Sequence, residues 1–237
     1  MKSLKTYIIH VRTAIEREKH MQLQLINRKL DYRYVLDGDQ QDLNPEVLKK
    51  YFTGSMQQVS AMASCAFKHF LAYESILADQ IDYALILEDD IYLNRRFDAL
   101  SEDILTEVTQ RGLSNFLISL EDSNLKYVRG SQRKPGQYIY KAKRGRMAGA
   151  YLIDKVCAEN ILVKIQKTKC HLPVDWFHNF CSDHGIIDIY WSHPTVATQG
   201  SLNGKIKSMI DKKPGSLFRI ASFRVQRVYK KLMWKLK

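Results

Sequence analysis

The stretch YALILEDDIYLNRRF, residues 83–97, places three consecutive acids directly after five mostly apolar residues. The short apolar run predicts a buried strand at Ala84–Leu87. Because side chains alternate between the two faces of a strand, Glu88 and Asp90 should point to one side and Asp89 to the other. A divalent cation held between Glu88 and Asp90 would offset the repulsion of their carboxylates. The alternative interpretation is a solvated turn at the end of the strand.

The sequence on either side of this stretch predicts alternating strands and helices. Further strands are predicted at Tyr7–Val11, Tyr34–Leu36, Phe116–Leu120, Tyr138–Tyr140, Gly149–Ile153 and Ile186–Trp191. Helices are predicted at Ile15–Lys29, Val59–Leu77 and Val156–Ile165, and one more begins after an N-cap at Asn44. This alternation favours an α/β fold with a central, mostly parallel sheet flanked by helices. In such sheets ligands bind beyond the carboxyl ends of the strands, where the three acids are predicted to lie.

Length and composition fit one globular domain with a basic appendage. The 237 residues carry a net charge of +12, and residues 212–237 contain nine Lys or Arg and no acid. We therefore expect a catalytic-type domain at residues 1–211 and a basic tail at residues 212–237. Four cysteines without a CxxC or a His-Cys cluster indicate reduced thiols in a cytoplasmic protein. The apolar stretch near the N-terminus is too short to predict a signal peptide or a membrane span.

Five motif-like stretches follow one another along the chain. In order they are YIIHVRTAIER, ASCAFKHFLAYESIL, ALILEDDI, AGAYLIDKVCAENIL and PVD. ALILEDDI is the most specific motif among them. With them the chain resembles glycosyltransferase family 25 over about residues 4–210. That family includes the lipopolysaccharide and lipooligosaccharide β-galactosyltransferases of Gram-negative bacteria. The resemblance implies a GT-A-like nucleotide-sugar-binding fold, a UDP-sugar donor with galactose as the expected hexose, and inversion at the anomeric carbon.

The resemblance also implies a metal ion and an acceptor. The metal is Mn²⁺ or Mg²⁺, and the acceptor is an oligosaccharide or lipid-linked glycan of lipopolysaccharide, lipooligosaccharide or capsule. Asp90 is expected to hold the metal, with Glu88 or Asp89 assisting, and His193 is expected to add an imidazole ligand. Donor contacts are expected from His10, Arg17, His69, Asp89 and Arg146. The structural alternatives are a half-buried His69 bonded to a backbone carbonyl, and loop positions for His193 and Arg146.

Inversion in a single displacement requires a base that takes the proton of the attacking acceptor hydroxyl. Asp175, in the PVD segment, is the first candidate. Glu121 and Asp122, which follow the strand predicted at Phe116–Leu120, are the alternatives. Asp175 also fits the N-cap of a helix at Trp176–Cys181, which is a structural role.

The basic tail has its own pattern. An apolar stripe is formed by five residues at helical spacing: Leu217, Ala221, Val225, Val228 and Leu232. Most of the basic residues of the tail lie off this stripe. A basic amphipathic helix of this kind is suited to an anionic membrane surface. We therefore expect a cytoplasmic protein attached peripherally to the inner face of the bacterial inner membrane. The alternative is that the stripe packs on the domain.

Two other functions stay open on the sequence alone. A metal-dependent nucleotidyl- or phosphosugar-processing enzyme would use the same carboxylates without needing a sugar acceptor. A nucleic-acid-binding module is favoured by the net charge. The charge of residues 1–211 is nearly balanced, however, and we find no RNA-recognition, zinc-finger or helix-turn-helix signal, so no nucleic-acid partner is expected.

Overall fold

The computed structural model describes residues 4–207, 209 and 217–237. Its strands are β1 (Leu4–Ile9), β2 (Leu30–Val35), β3 (Tyr83–Glu88), β4 (Ile91–Leu93), β5 (Phe116–Ser119), β6 (Ile139–Ala142), β7 (Ala150–Asp154), β8 (Asp188–Ser192) and β9 (Ala197–Gln199). Seven of them form a sheet in the order β2-β1-β3-β7-β5-β8-β6, and β4 pairs with β9. Within the large sheet β6 and β7 run opposite to the other strands. The predicted, mostly parallel sheet is therefore confirmed.

Helices cover both faces of this sheet, as predicted. They are α1 (Ile15–Leu25), α2 (Pro45–Tyr51), α3 (Ala61–Ala78), α4 (Phe97–Gln110), α5 (Lys155–Thr168), α6 (Val174–Asp183), α7 (Gly200–Asn203) and α8 (Leu217–Leu236). One apolar core lies between the sheet and α2, α3, α5 and α6, and a second lies between the sheet and α1 and α4. Asn44 caps α2 as expected, because its side chain accepts from the Val47 amide at 2.9 Å. The sequence pattern does not predict α4, β4 or β9.

The parallel strands bring polar residues to one edge of the sheet. β1 ends directly before His10, and β3 ends at Glu88. The Asp89 amide donates to the Ile9 carbonyl at 3.1 Å, which joins these two strand ends. β5 runs in the same direction and ends two residues before Glu121. The predicted site residues of three strands therefore lie along a common edge.

A buried lysine binds the backbone where the chain leaves β2. The ammonium of Lys68, on α3, lies 3.0 Å from the Asp39 carboxylate, and both side chains are almost fully buried. The same ammonium donates to three backbone carbonyls at 2.7–3.1 Å, those of Val35, Leu36 and Asp37. Burial lowers the pKa of Lys68, while the adjacent Asp39 carboxylate favours the charged form. Lys68 thus acts as an internal cation that fixes the chain leaving β2.

The C-terminal helix α8 is docked on the body of the protein by charged residues. Arg227 donates through Nε to the buried Asp122 carboxylate at 2.8 Å, and the Lys231 ammonium lies 3.7 Å from the same carboxylate. Trp234 packs edge-on against Trp191, with ring centroids 6.2 Å apart. The inner face of α8 therefore combines basic and aromatic side chains.

The apolar stripe predicted in the tail is largely exposed. The exposed fractions of Leu217, Val225, Val228 and Leu232 are 85%, 70%, 63% and 55%. Val228 and Leu232 also line a cavity between α8 and the body of the protein, so the stripe contacts the domain only at that end. The expected domain boundary at residues 211 and 212 lies outside the described residues. Among the residues that the structure describes, no helix is both long and apolar enough to cross a membrane.

Candidate active site

The middle acid of the triplet holds neighbouring elements together. Asp89 is buried, and one carboxylate oxygen lies 2.8 Å from Nδ1 of His10, at the end of β1. The other oxygen accepts from the Arg17 guanidinium, on α1, at 2.5 Å. Asp89 and Asp90 lie in the turn after β3 and not in the strand, so the strand alternation predicted for the three acids does not apply to them. His10 and Arg17 thus fix the position of Asp89, and all three were among the expected donor-site residues.

Asp90 has an unused oxygen. Its side chain is 2% exposed, and Oδ2 accepts from the Ser201 amide at 3.1 Å. Oδ1 has no hydrogen-bond partner among the described residues. Burial raises the pKa of the Asp90 carboxyl, while the charge of Arg17 and the bond from Ser201 act in the opposite direction. A buried carboxylate oxygen without a partner is costly unless a ligand satisfies it, and a hard cation would do so.

Glu88 lies between α3 and the turn after β9. Its Oε2 accepts from the Gln199 side-chain amide at 2.6 Å. Its Oε1 faces Cys65 Sγ at 3.8 Å and His69 Nε2 at 3.6 Å. Burial and then the charges of Asp90 and its neighbours raise the pKa of Glu88 to about 8. The sequence showed no His-Cys cluster, but the helix places a cysteine and a histidine side by side at this carboxylate.

The chain turns from β9 into α7 at Gln199–Ser201 and there completes the site, and no local sequence pattern marks these residues. Pairing of Ile91 with Gln199 lays β9 beside the acid triplet. Gln199 then bonds Glu88, the Gly200 amide donates to the Asp90 carbonyl at 2.7 Å, and the Ser201 amide bonds the Asp90 carboxylate. Each residue of the turn therefore holds one part of the triplet.

Asp175 lies on the Glu88 side of the site. It is in the first turn of α6 with Pro173 at the N-cap position, so the N-cap role considered for Asp175 is wrong. Burial and then the charges of Glu88 and Asp175 raise the pKa of the Cys65 thiol, and Asp175 also contributes to the raised pKa of Glu88. Burial raises the pKa of Asp175 itself. Its side chain is only partly buried, so an acceptor hydroxyl can reach it.

A match to a protein-family model identifies the family of this chain. Residues 3–178 match the model described as glycosyltransferase family 25 (LPS biosynthesis protein). The chain belongs to glycosyltransferase family 25. The match covers the acid triplet, α3 and the start of α6, and ends before the turn at residues 199–201 and before α8. This chain is therefore a glycosyltransferase of the kind that acts in lipopolysaccharide biosynthesis.

Solved structures resemble this family 25 chain at low identity. One is an apo UDP-glucose pyrophosphorylase, with a TM-score of 0.43, 9% identity, and coverage of 97% of this chain and 82% of that one. Another is a mannose-1-phosphate geranyltransferase from Thermus thermophilus, with a TM-score of 0.29 and 13% identity. That likeness covers 99% of this chain and 64% of the other, so this chain spans less than two thirds of it. No curated protein sequence matches the chain.

The alternative bases in the family 25 chain, Glu121 and Asp122, are fully buried and engaged in bonds. Glu121 accepts from the Gly149 and Ala150 amides at 2.7 and 3.2 Å, and burial raises its pKa to about 8. Asp122 is held by Arg227 of α8, together with two hydroxyl groups, those of Tyr127 and Thr198. This placement favours the partly exposed Asp175 as the base.

Arg146 lies inside the protein. It is fully buried, and its guanidinium donates to carbonyls at the ends of β5 and β8, those of Ser119, Glu121 and Ser192, at 3.0–3.4 Å. It also lies 4.7 Å over the Trp191 ring. Burial lowers the pKa of Arg146 to about 9. These contacts give Arg146 a structural role, and its contact with the diphosphate stays a prediction.

His193 lies in a cavity beneath α8. The cavity is also lined by Tyr127, Val228 and Lys231. Burial, followed by the charges of Arg133, Arg146 and Lys231, lowers the pKa of His193 to about 4. Its Nδ1 has no partner among the described residues. The surrounding cations disfavour a metal ion at this imidazole, so its predicted role as a ligand is without support from its neighbours.

His69 has its Nδ1 bonded to a side chain, where the structural alternative was a backbone carbonyl. That nitrogen lies 2.7 Å from the Tyr151 hydroxyl, which lies 2.5 Å from the Tyr73 hydroxyl. Tyr73 in turn lies 2.7 Å from Nε2 of His178. All four side chains are buried. This chain of hydrogen bonds fixes the ring of His69 with Nε2 aimed at Glu88.

We predict that Gly200→Ala lowers the rate of glycosyl transfer about 100-fold, because a small displacement of a catalytic group has effects of this size. A Cβ at Gly200 would lie 2.9 Å from the Asp90 carbonyl oxygen and 2.8 Å from the Tyr92 ring, and backbone atoms cannot yield easily. Initial rates of UDP release measure the effect. Gly145→Ala is the matched control, since its Cβ would meet nothing closer than 3.7 Å. Unchanged rates in Gly200→Ala would show that the turn does not position Asp90.

Proposed function

We propose that this family 25 enzyme transfers a hexose, with galactose as the expected sugar, from a UDP-sugar to a glycan acceptor of lipopolysaccharide or lipooligosaccharide. The transfer inverts the anomeric carbon. The observation that carries the proposal is the buried Asp90 carboxylate at the carboxyl edge of the sheet, whose Oδ1 has no hydrogen-bond partner in the described part of the chain. This is the edge at which open α/β sheets bind nucleotides.

The residues present fit a hard divalent ion. Asp90 would supply the principal oxygen, and Glu88 the assisting one, to Mn²⁺ or Mg²⁺. Such an ion, when bound, neutralises the charge that develops on the leaving diphosphate. The protein contributes the fixed positions: Ser201 and Gly200 orient Asp90, and Gln199 orients Glu88. Arg17 and His10 keep Asp89 away from this role by occupying both of its oxygens.

Asp175 is proposed as the base. It takes the proton of the acceptor hydroxyl as that oxygen attacks the anomeric carbon. A carboxylate whose pKa is raised towards neutrality is a better proton acceptor than an ordinary surface aspartate, and burial raises the pKa of Asp175 in this way. It lies in the first turn of α6 and is only partly buried, so its carboxylate has contact with solvent.

Acceptor dependence tests this function against the nucleotidyl or phosphosugar alternative. The enzyme is incubated with a panel of UDP-hexoses and Mn²⁺, with and without a truncated lipooligosaccharide acceptor, and UDP release is followed. We expect release only with the acceptor, and a product of inverted anomeric configuration by NMR. Consumption of a nucleoside triphosphate with a sugar phosphate, or hydrolysis that needs no acceptor, would refute the proposal.

We also propose that α8 attaches the enzyme to an anionic membrane surface on the cytoplasmic side. The exposed apolar side chains of α8 include Leu217 and Val225 of the stripe, and Leu236 near the end of the helix, and these three are 70–85% exposed. The tail carries nine basic residues and no acid. Apolar insertion combined with attraction to anionic lipid is the usual basis of peripheral attachment. A lipid-linked acceptor would be embedded in the same surface.

Liposome co-sedimentation tests the attachment. We expect the variant Leu217→Ser, Val225→Ser, Leu236→Ser to lose most of its binding to vesicles that contain anionic phospholipid, because it loses the inserted apolar surface but keeps its charge. The control is Leu23→Ser on α1, where the side chain is 72% exposed but lies outside the tail. Binding that is equal in both variants would contradict the proposal. Truncation is less informative, because it would also expose the Asp122 carboxylate that Arg227 holds.

A further inference from the structure

Three donor atoms of different chemistry meet at Glu88. Cys65 and His69 are four residues apart on α3, so their side chains lie on the same face of the helix. Cys65 Sγ lies 3.8 Å and His69 Nε2 lies 3.6 Å from Glu88 Oε1, and all three atoms lie within 4.8 Å of one another. Tetrahedral zinc, with bonds of about 2.3 Å to sulfur and about 2.0–2.1 Å to nitrogen or oxygen, would place its ligand atoms about 3.3–3.6 Å apart. The two measured distances to Glu88 are close to these values.

The histidine has a free nitrogen aimed into the group. His69 is fully buried, and its Nε2 has no hydrogen-bond partner among the described residues. The 3.6 Å separation from Glu88 is too long for a hydrogen bond. A buried imidazole nitrogen without a partner indicates a missing ligand. When Nδ1 of His69 donates to the Tyr151 hydroxyl, the lone pair of Nε2 points at Glu88.

The surrounding hydrogen bonds are those of a prepared metal site. Metal-binding histidines almost always have their second nitrogen bonded to a fixed partner, and ligating carboxylates are bonded in turn. Here Tyr151 fixes His69, Tyr73 fixes Tyr151, and Gln199 fixes Glu88 through the oxygen that does not face the group. The Glu88 side chain is 20% exposed, so the group of three side chains is in contact with solvent on that side.

We propose that Cys65, His69 and Glu88 form a binding site for a thiophilic divalent cation such as Zn²⁺, with a fourth position open to water. One sulfur, one nitrogen and one oxygen ligand suit zinc and disfavour Mg²⁺, which requires oxygen ligands. The negative charges of Asp89, Asp90 and Asp175 contribute a favourable potential, because all three act on Glu88. Three protein ligands with an open position are the arrangement of reactive rather than purely structural zinc.

This site differs from the hard-metal site of the proposed transfer reaction in its principal ligands, although Glu88 belongs to both. Asp90 supplies the free oxygen on which that reaction depends, and it is not one of the three ligands here. Glu88 is shared, since it turns Oε1 to α3 while its charge acts on Asp90. The two proposals can therefore fail separately. An Asp90 variant tests the Mn²⁺ or Mg²⁺ site of the transfer reaction, and a Cys65 variant tests the Zn²⁺ site.

Cobalt spectroscopy and zinc calorimetry test the site on the full-length protein. Co²⁺ in place of Zn²⁺ should give one equivalent of binding with a thiolate-to-cobalt charge-transfer band. The heat of Zn²⁺ binding should depend on the buffer, because the Cys65 thiol releases its proton to the solvent. We expect Cys65→Ser to abolish the band and to weaken Zn²⁺ binding about 100-fold or more, and Tyr151→Phe to weaken it about tenfold.

Two controls make the result decisive. Cys170→Ser should keep the band, because a serine hydroxyl can replace the thiol that donates to the Leu172 carbonyl at 3.1 Å. Asp90→Asn should also keep the band, whatever it does to the transfer reaction. Circular dichroism and thermal unfolding establish that each variant is folded. No band in the wild-type protein, or zinc binding that is lost in Asp90→Asn and kept in Cys65→Ser, would overturn the proposal.

Discussion

Asp90→Asn should lower the rate of glycosyl transfer about 1,000-fold while the protein stays folded. The change is isosteric, so the remaining oxygen can still accept from the Ser201 amide. It removes the negative charge and one oxygen from a buried position where that oxygen has no partner within the described residues. A metal ion that stabilises the charge of a leaving group is worth several kcal/mol in the transition state, which corresponds to a loss of this size.

The rate is measured as UDP release with saturating acceptor and Mn²⁺. The control is Asp31→Asn in β2, since Asp31 is 53% exposed and pairs with Lys5 near the opposite ends of the strands. We expect the control to keep its full activity. If Asp90→Asn kept more than about a tenth of the wild-type rate, the carboxylate could not be the principal metal ligand.

Lys68→Met should lower the free energy of unfolding by about 3–5 kcal/mol, the usual effect of removing one partner of a buried ion pair. The substitution removes the nearest cation from the Asp39 carboxylate, which is 2% exposed and keeps only the Arg12 guanidinium at 4.0 Å. It also removes the donor from three carbonyls beyond β2. Methionine has nearly the volume of the lysine chain, so the loss reflects the charge and the hydrogen bonds rather than a cavity.

Urea unfolding, followed by circular dichroism, measures this effect. Lys5→Met is the control, because the Lys5–Asp31 pair is partly exposed and such pairs are worth about 1 kcal/mol or less. Adding Asp39→Asn to Lys68→Met should restore part of the loss, since the unpaired carboxylate is then removed. A loss below about 1 kcal/mol in Lys68→Met would show that the chain after β2 does not depend on this internal cation.

The sequence predicted the parts of the fold that depend on local pattern. The apolar run Ala84–Leu87 predicted β3 within one residue at each end, and Asn44 followed by Pro45 predicted the start of α2. The acids then lie at a strand end, as the topology of α/β sheets requires. Strand alternation was the wrong basis for the directions of Asp89 and Asp90, because both lie in the turn after β3, and each of the three acids has its own partners.

Local sequence pattern could not predict contacts between segments that are distant in the sequence. Gln199 contacts Glu88 across 111 positions of sequence, and nothing in the residues around Gln199 marks it as a partner of the acid triplet. Arg146 and Arg227 illustrate the same limit, because charged residues usually lie at the surface. Both are held inside or against the body by acceptors, carbonyls for Arg146 and the Asp122 carboxylate for Arg227.

The central claim is that Asp90 binds a donor nucleotide through a divalent metal, and calorimetry of UDP binding tests it most directly. UDP is titrated into wild-type protein and Asp90→Asn, each with Mn²⁺ and with EDTA. We predict that wild-type protein binds UDP at least about tenfold more tightly with Mn²⁺ than without it, and that Asp90→Asn shows no such difference. Equal UDP affinity with and without the metal in wild-type protein, or an unchanged metal effect in Asp90→Asn, would contradict the claim.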